Sequence, residues 1–383
     1  MRIELPYGRF PYPLDLGTRA TTLLEAPPPP PPRPLAALFD AALDAPIDRP
    51  RVEAMVSPGA RVTVIVSDAT RNEPRGELLA ALRRRLPEVR WTIAIATGTH
   101  GPAPLDALGL PADLLASATI VNHDGHHDEL VPLGTTPHGT AVALPRCLLD
   151  ADLVIATGCI RPHYFAGFGA GIKAIFPGLG AAPAIRHNHL LKASPGSRAG
   201  IVNDNPCRRD LEAAVALLPT PTFLLDGVCA IDQRVHAAVA GDPITAFRAG
   251  AELARPHFTV RGQRSALVIA SDALPVTATL YQAAKIAAAA APLVAPDGTL
   301  VLVAECAEGV GPLETVNEAI FRLGILPRLP PRSRICLVSS LDPADVSRTL
   351  VEPATSIESL LASTSGPVTI LPHSSQLLVE ADS

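Results

Sequence analysis

The stretch LVIATGCIRPHYFAGFGAGIK, Leu153 to Lys173, decides the fold class of this chain. It opens with a continuous apolar run, Leu153–Ala156, of the kind that is buried on both faces in a parallel sheet. A glycine-rich segment follows and ends at Lys173, in otherwise apolar and aromatic surroundings. Because ligands of open α/β sheets lie beyond the carboxyl ends of the strands, this arrangement predicts an α/β protein with a ligand near the glycines.

Apolar runs of the same kind recur along the chain and alternate with helix-like stretches. Strands are predicted over residues 62–66, 91–96, 153–156, 223–225, 266–270, 300–304 and 335–339, and helices over 77–85, 206–217, 281–290 and 315–323. This alternation predicts two α/β domains with mostly parallel sheets. A polar stretch, Leu253–Ser265, separates the two sets of elements. We therefore expect an N-terminal α/β domain over residues 1–258 and a C-terminal α/β domain over 259–383.

Composition excludes several classes of protein. The 383 residues carry a net charge of -5 with a pI near 6.1, which argues against nucleic acid as the main partner. No apolar run reaches the roughly 18 residues needed to span a bilayer, and the start, MRIELPYGRF, lacks the apolar core of a signal peptide. We therefore expect a cytoplasmic protein without membrane partners. The six cysteines contain no C-x-x-C pair, so neither a disulfide scaffold nor a thiolate zinc site is predicted.

Polar and ionisable residues follow four of the predicted strands. In chain order these groups are Asp68, Thr70 and Arg71; His100; Arg161, His163 and Lys173; and Tyr281, Gln282 and Lys285. Carboxyl ends of parallel strands meet at one edge of a sheet, so these groups predict an active site. Because the last group belongs to the C-terminal domain, we expect the site in the cleft between the domains, which that domain would close.

The glycine-rich run that ends at Lys173 matches no standard phosphate loop. It lacks both the G-x-x-x-x-G-K-[ST] pattern and a G-x-G-x-x-G directly after a strand. Glycines let a backbone approach a ligand closely. Apolar surroundings disfavour the charged form of a lysine, so we expect a lowered pKa for Lys173 and a neutral, nucleophilic amine.

Two histidine-rich segments are candidates for a metal site. His187 and His189 follow Lys173, and the segment NHDGHHDE, Asn122–Glu129, combines three histidines with carboxylates. Histidine is the commonest side-chain ligand of metals, although the second segment fits no standard zinc spacing well.

The motifs SDATR, TGTH, RPHYFAGFGAGIKAIFPG, HNH and YQAAK together resemble the nickel-dependent lactate racemase family. Their order and spacing are similar from about Val62 to Lys285, and the segment from His163 to Lys173 is the most specific of them. The residues beyond Lys285 resemble the family only in their general α/β pattern.

The resemblance implies an isomerase that racemises or epimerises 2-hydroxy acids, either lactate or a larger, more hydrophobic one. It also implies a nickel-pincer nucleotide, the nickel complex of pyridinium-3,5-bisthiocarboxylic acid mononucleotide. Lys173 matches the lysine that holds this cofactor covalently, and His189 matches the nickel ligand, with His187 as its rival. His100 and His163 match the acid and base on opposite faces of the substrate. Hydride would move reversibly to the cofactor, through a 2-keto acid intermediate.

The remaining matches concern binding. Asp68, Thr70, Gly169, Gly171, Tyr281 and Gln282 match residues around the cofactor, and Arg71 and Lys285 match residues that hold the substrate carboxylate, which arginine binds bidentately. The family run often reads Gly-Phe-Ser-Gly-Gly, whereas residues 167–171 here read Gly-Phe-Gly-Ala-Gly, so no hydroxyl contact is expected from the serine position. The implied partners are a small-molecule 2-hydroxy acid and the enzymes that synthesise the cofactor, whereas the oligomeric state stays open.

Two other functions are compatible with the residues. One is a zinc-dependent hydrolase that uses the histidine-rich segments, and the other is a non-catalytic protein that binds the cofactor. A non-catalytic protein would lack one of the two histidine bases, and both His100 and His163 are present.

Overall fold

The computed structural model describes residues 2–382, which divide into two compact units. One unit holds residues 28–257, and the other joins the segment up to Pro27 with the chain from Phe258 onwards. This division differs from the predicted domains, 1–258 and 259–383, in the placement of the first 27 residues. The physical reason is a strand, Thr21–Leu23, that pairs in parallel with Val368–Leu371 and so extends the sheet of the C-terminal part.

Twenty strands form within residues 2–382. They are β1 Arg2–Leu5, β2 Tyr12–Asp15, β3 Thr21–Leu23, β4 Arg61–Ser67, β5 Arg90–Ala96, β6 Thr119–Asn122, β7 Val131–Thr135, β8 Ala141–Leu144, β9 Leu153–Ile160, β10 Pro162–His163, β11 Gly167–Phe168, β12 Thr222–Cys229, β13 Val235–Gly241, β14 Thr259–Gly262, β15 Ser265–Ser271, β16 Val294–Val303, β17 Arg334–Val338, β18 Glu352–Pro353, β19 Val368–Leu371 and β20 Leu378–Ala381.

The helices lie between these strands. The α-helices are α1 Leu35–Asp44, α2 Arg75–Arg85, α3 Ala112–Ser117, α4 Arg146–Leu149, α5 Ala182–Leu190, α6 Pro206–Ala216, α7 Thr245–Ala254, α8 Leu280–Ala290, α9 Pro343–Val346 and α10 Ile357–Ser363. A further helix, Thr315–Ile325, is wound in wider π turns. No helix in the described part of the chain is both long and apolar enough to cross a membrane.

The unit of residues 28–257 is built on a six-stranded sheet in the order β13-β12-β9-β4-β5-β6. Its neighbouring strands run parallel, apart from β13, which is antiparallel to β12. The carboxyl ends of β4, β5, β9 and β12 therefore lie at one edge of the sheet. This architecture confirms the predicted α/β class with mostly parallel sheets.

The other unit has its own six-stranded sheet, in the order β18-β17-β16-β15-β19-β3, and all of its pairings are parallel. Apolar residues of β15, β16 and β19 are buried here together with Leu5 and Leu14 of the N-terminal hairpin β1–β2. The burial of these N-terminal leucines is a second reason why the first 27 residues belong to this unit.

Strand β9 is longer than predicted, because it continues through Thr157 to Ile160 and every one of its residues is buried. These extra residues pair with β12, whereas the pairing with β4 ends at Ala156. Gly158 lies within this extension, and a Cβ built on it would stand 3.0 Å from the Cβ of Ala170. The glycine in the strand thus leaves room for the glycine-rich run to fold back over the sheet.

Candidate active site

The loop that follows β4 is held by a buried arginine. Arg75, at the start of α2, donates from Nε to the carbonyl of Ser67 at 2.8 Å and from Nη2 to the carbonyl of Arg71 at 2.6 Å. Nη2 also donates to the carbonyl of Asp68, and only 6% of Arg75 is exposed. One guanidinium therefore binds three carbonyls and fixes the path of residues 67–71.

Asp68 and His100 form a hydrogen-bonded pair at this edge of the sheet. The His100 Nδ1 lies 2.7 Å from the Asp68 Oδ2, and the other carboxylate oxygen accepts from the backbone and hydroxyl of Thr70 at 3.0 and 2.5 Å. Burial alone would raise the pKa of Asp68, but the hydrogen bonds from His100 and Thr70 lower it overall. A carboxylate at this distance requires the proton of a neutral His100 to reside on Nδ1, so Nε2 keeps its lone pair.

The glycine-rich run makes a tight turn that admits no side chain at Gly171. Its φ is +65°, and a Cβ there would stand 2.5 Å from the ring of Phe247. The Gly171 N–H donates to the Oδ2 of Asp226 at 2.8 Å. Gly169 is fixed through its N–H, which donates to the carbonyl of Arg161 at 2.8 Å. The N–H groups of both glycines are therefore bonded within the protein, and these bonds fix the path of the turn.

Lys173 lies in the short helical turn Gly171–Ala174. Its residue is only partly buried by surface area, but protein atoms surround the amine and lower its pKa to about 7. Desolvation is the largest cause of this shift, and the positive charges of Arg208 and Arg71 add to it. The lowered pKa agrees with the expectation from the apolar sequence, and the influence of Arg71 shows that the loop after β4 lies near the glycine-rich run.

Three of the predicted site residues surround the buried ring of Phe165. The ring of His163 meets it edge-on at 4.6 Å between centroids, and the ring of His189 does so at 5.1 Å. The Lys173 Nζ lies 5.8 Å from the same centroid. The N–H of Ala166 donates to the His163 Nδ1 at 3.2 Å, which leaves the proton of a neutral His163 on Nε2.

Helix α5 separates the two candidate metal ligands. His189 faces Phe165, whereas the His187 Nε2 lies 2.9 Å from the carbonyl of His138 on an exposed face. Residues two positions apart in a helix point in nearly opposite directions, which explains the difference. Desolvation, followed by the charges of Lys173 and Lys192, lowers the pKa of His189 to about 4, so its imidazole is neutral, as a metal ligand must be. The geometry favours His189 over His187.

The lactate racemase N-terminal domain family matches residues 7–200 of the chain. The lactate racemase of Thermoanaerobacterium thermosaccharolyticum is 30% identical over 322 residues, which are 81% of this chain and 75% of that protein. The chain belongs to the lactate racemase family. The lactate racemase of Lactiplantibacillus plantarum is 29% identical over 282 residues, 71% of this chain and 66% of that protein.

The structure of the lactate racemase apoprotein from Thermoanaerobacterium thermosaccharolyticum has the same fold. It matches with a TM-score of 0.87 at 24% sequence identity and covers 99% of this chain and 100% of that one. With its relatives in the lactate racemase family, this chain is an isomerase of the racemase class.

The predicted site residues beyond Phe258 lie in the other unit. Tyr281, Gln282 and Lys285 occupy the first turns of α8, which Thr279 caps with its side chain, and the Lys285 Nζ donates to the Gln282 Oε1 at 2.6 Å. Residues one helical turn apart share a face, which explains this bond. Their place in the family's site stays a prediction from sequence.

The segment Asn122–Glu129 is engaged in structural bonds. The two ring nitrogens of His123 lie 2.8 Å from the Asp128 Oδ2 and 3.1 Å from the carbonyl of Gly180, and His127 pairs with Asp124 at 2.9 Å. Within residues 2–382 no three side chains of histidine, cysteine, aspartate or glutamate are grouped as a metal ion requires. The geometry therefore gives no support to the zinc hydrolase that the sequence left open.

Three residues that organise the site were not among the sequence candidates. They are Arg75, Phe165 and Asn205, whose side-chain amide donates to the Phe165 carbonyl at 2.7 Å and caps α6. The sequence carries one signal for Asn205, because an asparagine directly before a proline is a common start of a helix. Arg75 carries no such signal because it binds backbone carbonyls, and for Phe165 the contacts with His189 and Asn205 link segments that are apart in the sequence.

Proposed function

We propose that the protein racemises a 2-hydroxy acid, lactate or a larger hydrophobic one, with the nickel-pincer nucleotide as its cofactor. One observation carries the proposal: His163 and Lys173 of the glycine-rich segment and His189 of α5 surround the ring of Phe165. A structural role would not require a base, a neutral imidazole and a neutral amine at one place.

The residues fit this cofactor. A lysine that is about half neutral near pH 7 can form a covalent bond to an acyl or thioacyl carbon, and the neutral His189 can bind nickel. The turn at Gly171 leaves no room for a Cβ, which would meet the ring of Phe247, so this position requires glycine. When bound, the cofactor would supply an acceptor for the hydrogen of the substrate carbon as hydride, which leaves a planar 2-keto acid.

The two histidines handle the hydroxyl proton. His100 can take that proton at Nε2, because Asp68 holds the Nδ1 proton and balances the charge that develops. His163 presents a protonated Nε2, since its Nδ1 accepts from Ala166. With one histidine as acceptor and the other as donor, the proton can leave on one face of the substrate and return on the opposite face.

Arg71 is the residue of this unit suited to the substrate carboxylate. A guanidinium binds a carboxylate through two parallel hydrogen bonds and fixes its plane, about which the two faces of the acid are defined. Its side chain is exposed, and its carbonyl is fixed by Arg75. We assign Tyr281, Gln282 and Lys285 to cofactor and substrate binding on the family motif alone.

The test is co-expression with the cofactor-synthesis enzymes, followed by intact mass and a panel of single-enantiomer 2-hydroxy acids. We expect a mass increase that maps to Lys173, nickel in the purified protein, and racemisation of at least one acid. The variant Lys173→Ala should lose both the adduct and the activity. An unmodified, nickel-free protein without racemisation, or an active Lys173→Ala variant, would overturn the proposal.

A further inference from the structure

The turn between β12 and β13 contains a residue whose backbone conformation favours glycine. Gln233 has a φ of +64°, in the left-handed region that is unfavourable for a residue with a Cβ. Two backbone bonds fix this turn: the Gln233 N–H donates to the carbonyl of Ala230 at 3.0 Å, and the Ala230 N–H donates to that of Arg234 at 3.2 Å. A glycine would make the same bonds without strain. The side chain of Gln233 therefore has to supply something that glycine lacks.

That side chain binds the residue that directly follows β9. The Gln233 Oε1 accepts from the Arg161 Nη1 at 2.9 Å, and the Gln233 Nε2 donates to the carbonyl of Ile231 at 3.3 Å. The second bond returns to the turn itself and orients the amide, so that its oxygen faces the guanidinium. Because β12 lies beside β9 in the sheet and runs parallel to it, the turn after β12 and the residue after β9 meet at one edge.

The other end of the Arg161 guanidinium binds the loop after β4. Its Nη2 donates to the carbonyl of Asn72 at 2.8 Å. Asn72 directly follows Arg71, whose own carbonyl accepts from the Arg75 Nη2 at 2.6 Å. Two successive carbonyls of this loop are thus held by two different arginines. A planar guanidinium with an acceptor at each terminal nitrogen is fixed in its plane, so Arg161 connects the turn after β12 to the backbone that carries Arg71.

The stability of the fold gives no net reason for a glutamine at position 233. Its bond to Arg161 lies at a half-buried place, where such a bond stabilises the protein by about as much as a left-handed φ destabilises it. Backbone outliers of this kind are concentrated at functional sites, where the surrounding bonds maintain them. The strain at Gln233 therefore indicates a role for its side chain beyond folding.

We infer that Gln233 and Arg161 are positioning residues that hold Arg71 in place for the carboxylate of the substrate. The inference deepens the proposed function, on which it rests through the role of Arg71. The side chains of Arg71 and Asn72 are exposed, so the direction of the Arg71 guanidinium depends on a backbone that other segments fix. Gln233 holds Arg161, and Arg161 holds that backbone through the carbonyl of Asn72. Neither positioning residue needs to touch the substrate.

The first measurement is hydrogen exchange of the apoprotein, followed by mass spectrometry on a peptide that covers residues 68–73. The variants Gln233→Gly and Arg161→Met each remove one partner of the same bond. Asp48→Gly is the control, because Asp48 also has a positive φ, +51°, but is exposed and follows Ile47, which pairs at the far end of β13. We expect the peptide to exchange at least about fivefold faster in both variants, the factor that corresponds to one lost hydrogen bond, and at the wild-type rate in the control.

The second measurement is steady-state racemisation by the enzyme loaded with cofactor. Arg71 would bind the carboxylate equally in the ground state and in the transition state, so a displaced Arg71 raises KM and leaves kcat nearly unchanged. We expect Gln233→Gly and Arg161→Met to raise KM at least about fivefold, with kcat within about twofold of the wild type. The thermal midpoint of Gln233→Gly should stay within about 2 °C of the wild type, because relief of the strain offsets the lost bond.

A double variant tests whether the effect passes through Arg71. In an Arg71→Met enzyme, Gln233→Gly should raise KM no further, because two residues that act through one another are not additive. An equal increase of KM with and without Arg71 would overturn the inference. So would a peptide that exchanges at the wild-type rate in both variants, or a parallel fall of kcat and thermal midpoint, which indicates a merely structural role.

The outcome stays decidable if one variant is unstable or if the proposed function is wrong. If Gln233→Gly fails to fold, Arg161→Met decides, since it removes the other partner of the bond. Failure of the proposed function shows differently: the co-expressed wild type would carry no adduct at Lys173 and racemise no acid, while the peptide of residues 68–73 still exchanged faster in both variants of the apoprotein.

Discussion

The loop after β4 and the glycine-rich run meet at the same edge of one sheet, but their conformations are fixed in different ways. In the loop, side chains do the work: Arg75 binds three carbonyls, and Asp68 is bonded to Thr70 and His100. In the glycine-rich run, the backbone does it, through positive φ angles at Ala170 and Gly171. The Lys173 amine of this run faces the ring of Phe165 rather than a counter-ion.

The same contrast distinguishes the two histidines. The His100 ring donates through Nδ1 to a carboxylate, and the His163 ring accepts at Nδ1 from a backbone N–H. These anchors select opposite tautomers, so the Nε2 of one is a proton acceptor and the Nε2 of the other a proton donor. Two identical side chains are made chemically different by their anchors, and the proposed function requires such a difference between its proton acceptor and its proton donor.

The largest effect should follow from removing the anchor of His100. In the loaded enzyme, Asp68→Asn should lower kcat about 100-fold or more, because the amide no longer requires the proton on Nδ1 and cannot balance the imidazolium. Since the pKa of Asp68 is lowered in the fold, the wild-type pair stays intact at neutral pH and is lost only as the pH falls through that lowered value.

The matched control is Asp124→Asn, which alters the similar but exposed pair of Asp124 with His127 at 2.9 Å. We expect that variant to keep its activity and its pH profile. Measurement of kcat against pH, together with the thermal midpoint, distinguishes a lost anchor from a misfolded loop. An Asp68→Asn enzyme with wild-type kcat across the neutral range would contradict the assignment of tautomers.

The second prediction concerns Arg75, whose hydrogen bonds fix the same loop. Arg75→Met leaves three carbonyls without their donor and should lower the free energy of unfolding by about 3 kcal/mol. Arg84→Met is the control, because Arg84 makes a surface pair with Asp40 at 3.0 Å and should cost no more than about 0.5 kcal/mol. Urea unfolding followed by circular dichroism measures both variants. Equal losses in the free energy of unfolding would show that the hydrogen bonds of Arg75 do not stabilise the loop.

The features that could be predicted from the sequence are local ones, and the features that it missed depend on contacts between distant residues. The parallel sheets and the approximate positions of their strands were predictable, because period and apolar character are local properties, although β9 runs beyond its predicted end. The lowered pKa of Lys173 was also predictable, since the apolar neighbours belong to its own run. The partners of Phe165 were not, because Asn205 lies 40 residues further along the chain. The pairing of β3 with β19, nearly the whole chain apart, explains why the first 27 residues were assigned to the wrong unit.

The third prediction tests the lowered pKa of the Lys173 amine in the glycine-rich run. The chain has three lysines, Lys173, Lys192 and Lys285, so each can be followed separately by mass spectrometry. With its pKa lowered to about 7, the Lys173 amine should be half neutral at that pH, and its rate of acetylation should level off only slightly above it. An ordinary lysine, with a pKa near 10.4, gains rate up to about pH 10. A Lys173 rate that still rises between pH 9 and pH 10 would contradict a desolvated amine.

The smallest expected effect concerns Ala170, where this chain departs from the glycine that is frequent in the family. Ala170 has φ +64° and ψ -159°, a conformation that is open to glycine and strained for residues with a Cβ. Ala170→Gly removes that strain and adds flexibility to the unfolded chain, so it should stabilise the protein by about 1 kcal/mol net. Gly169→Ala is the comparison variant, because it adds a Cβ where Ala170→Gly removes one. A Cβ at position 169 meets nothing closer than 3.7 Å, and the φ of Gly169 is not in the left-handed region. The thermal midpoint of the apoprotein checks both variants. A lower midpoint for Ala170→Gly would contradict the prediction, and it would show that contacts with the sheet, rather than strain at position 170, determine the stability of this turn.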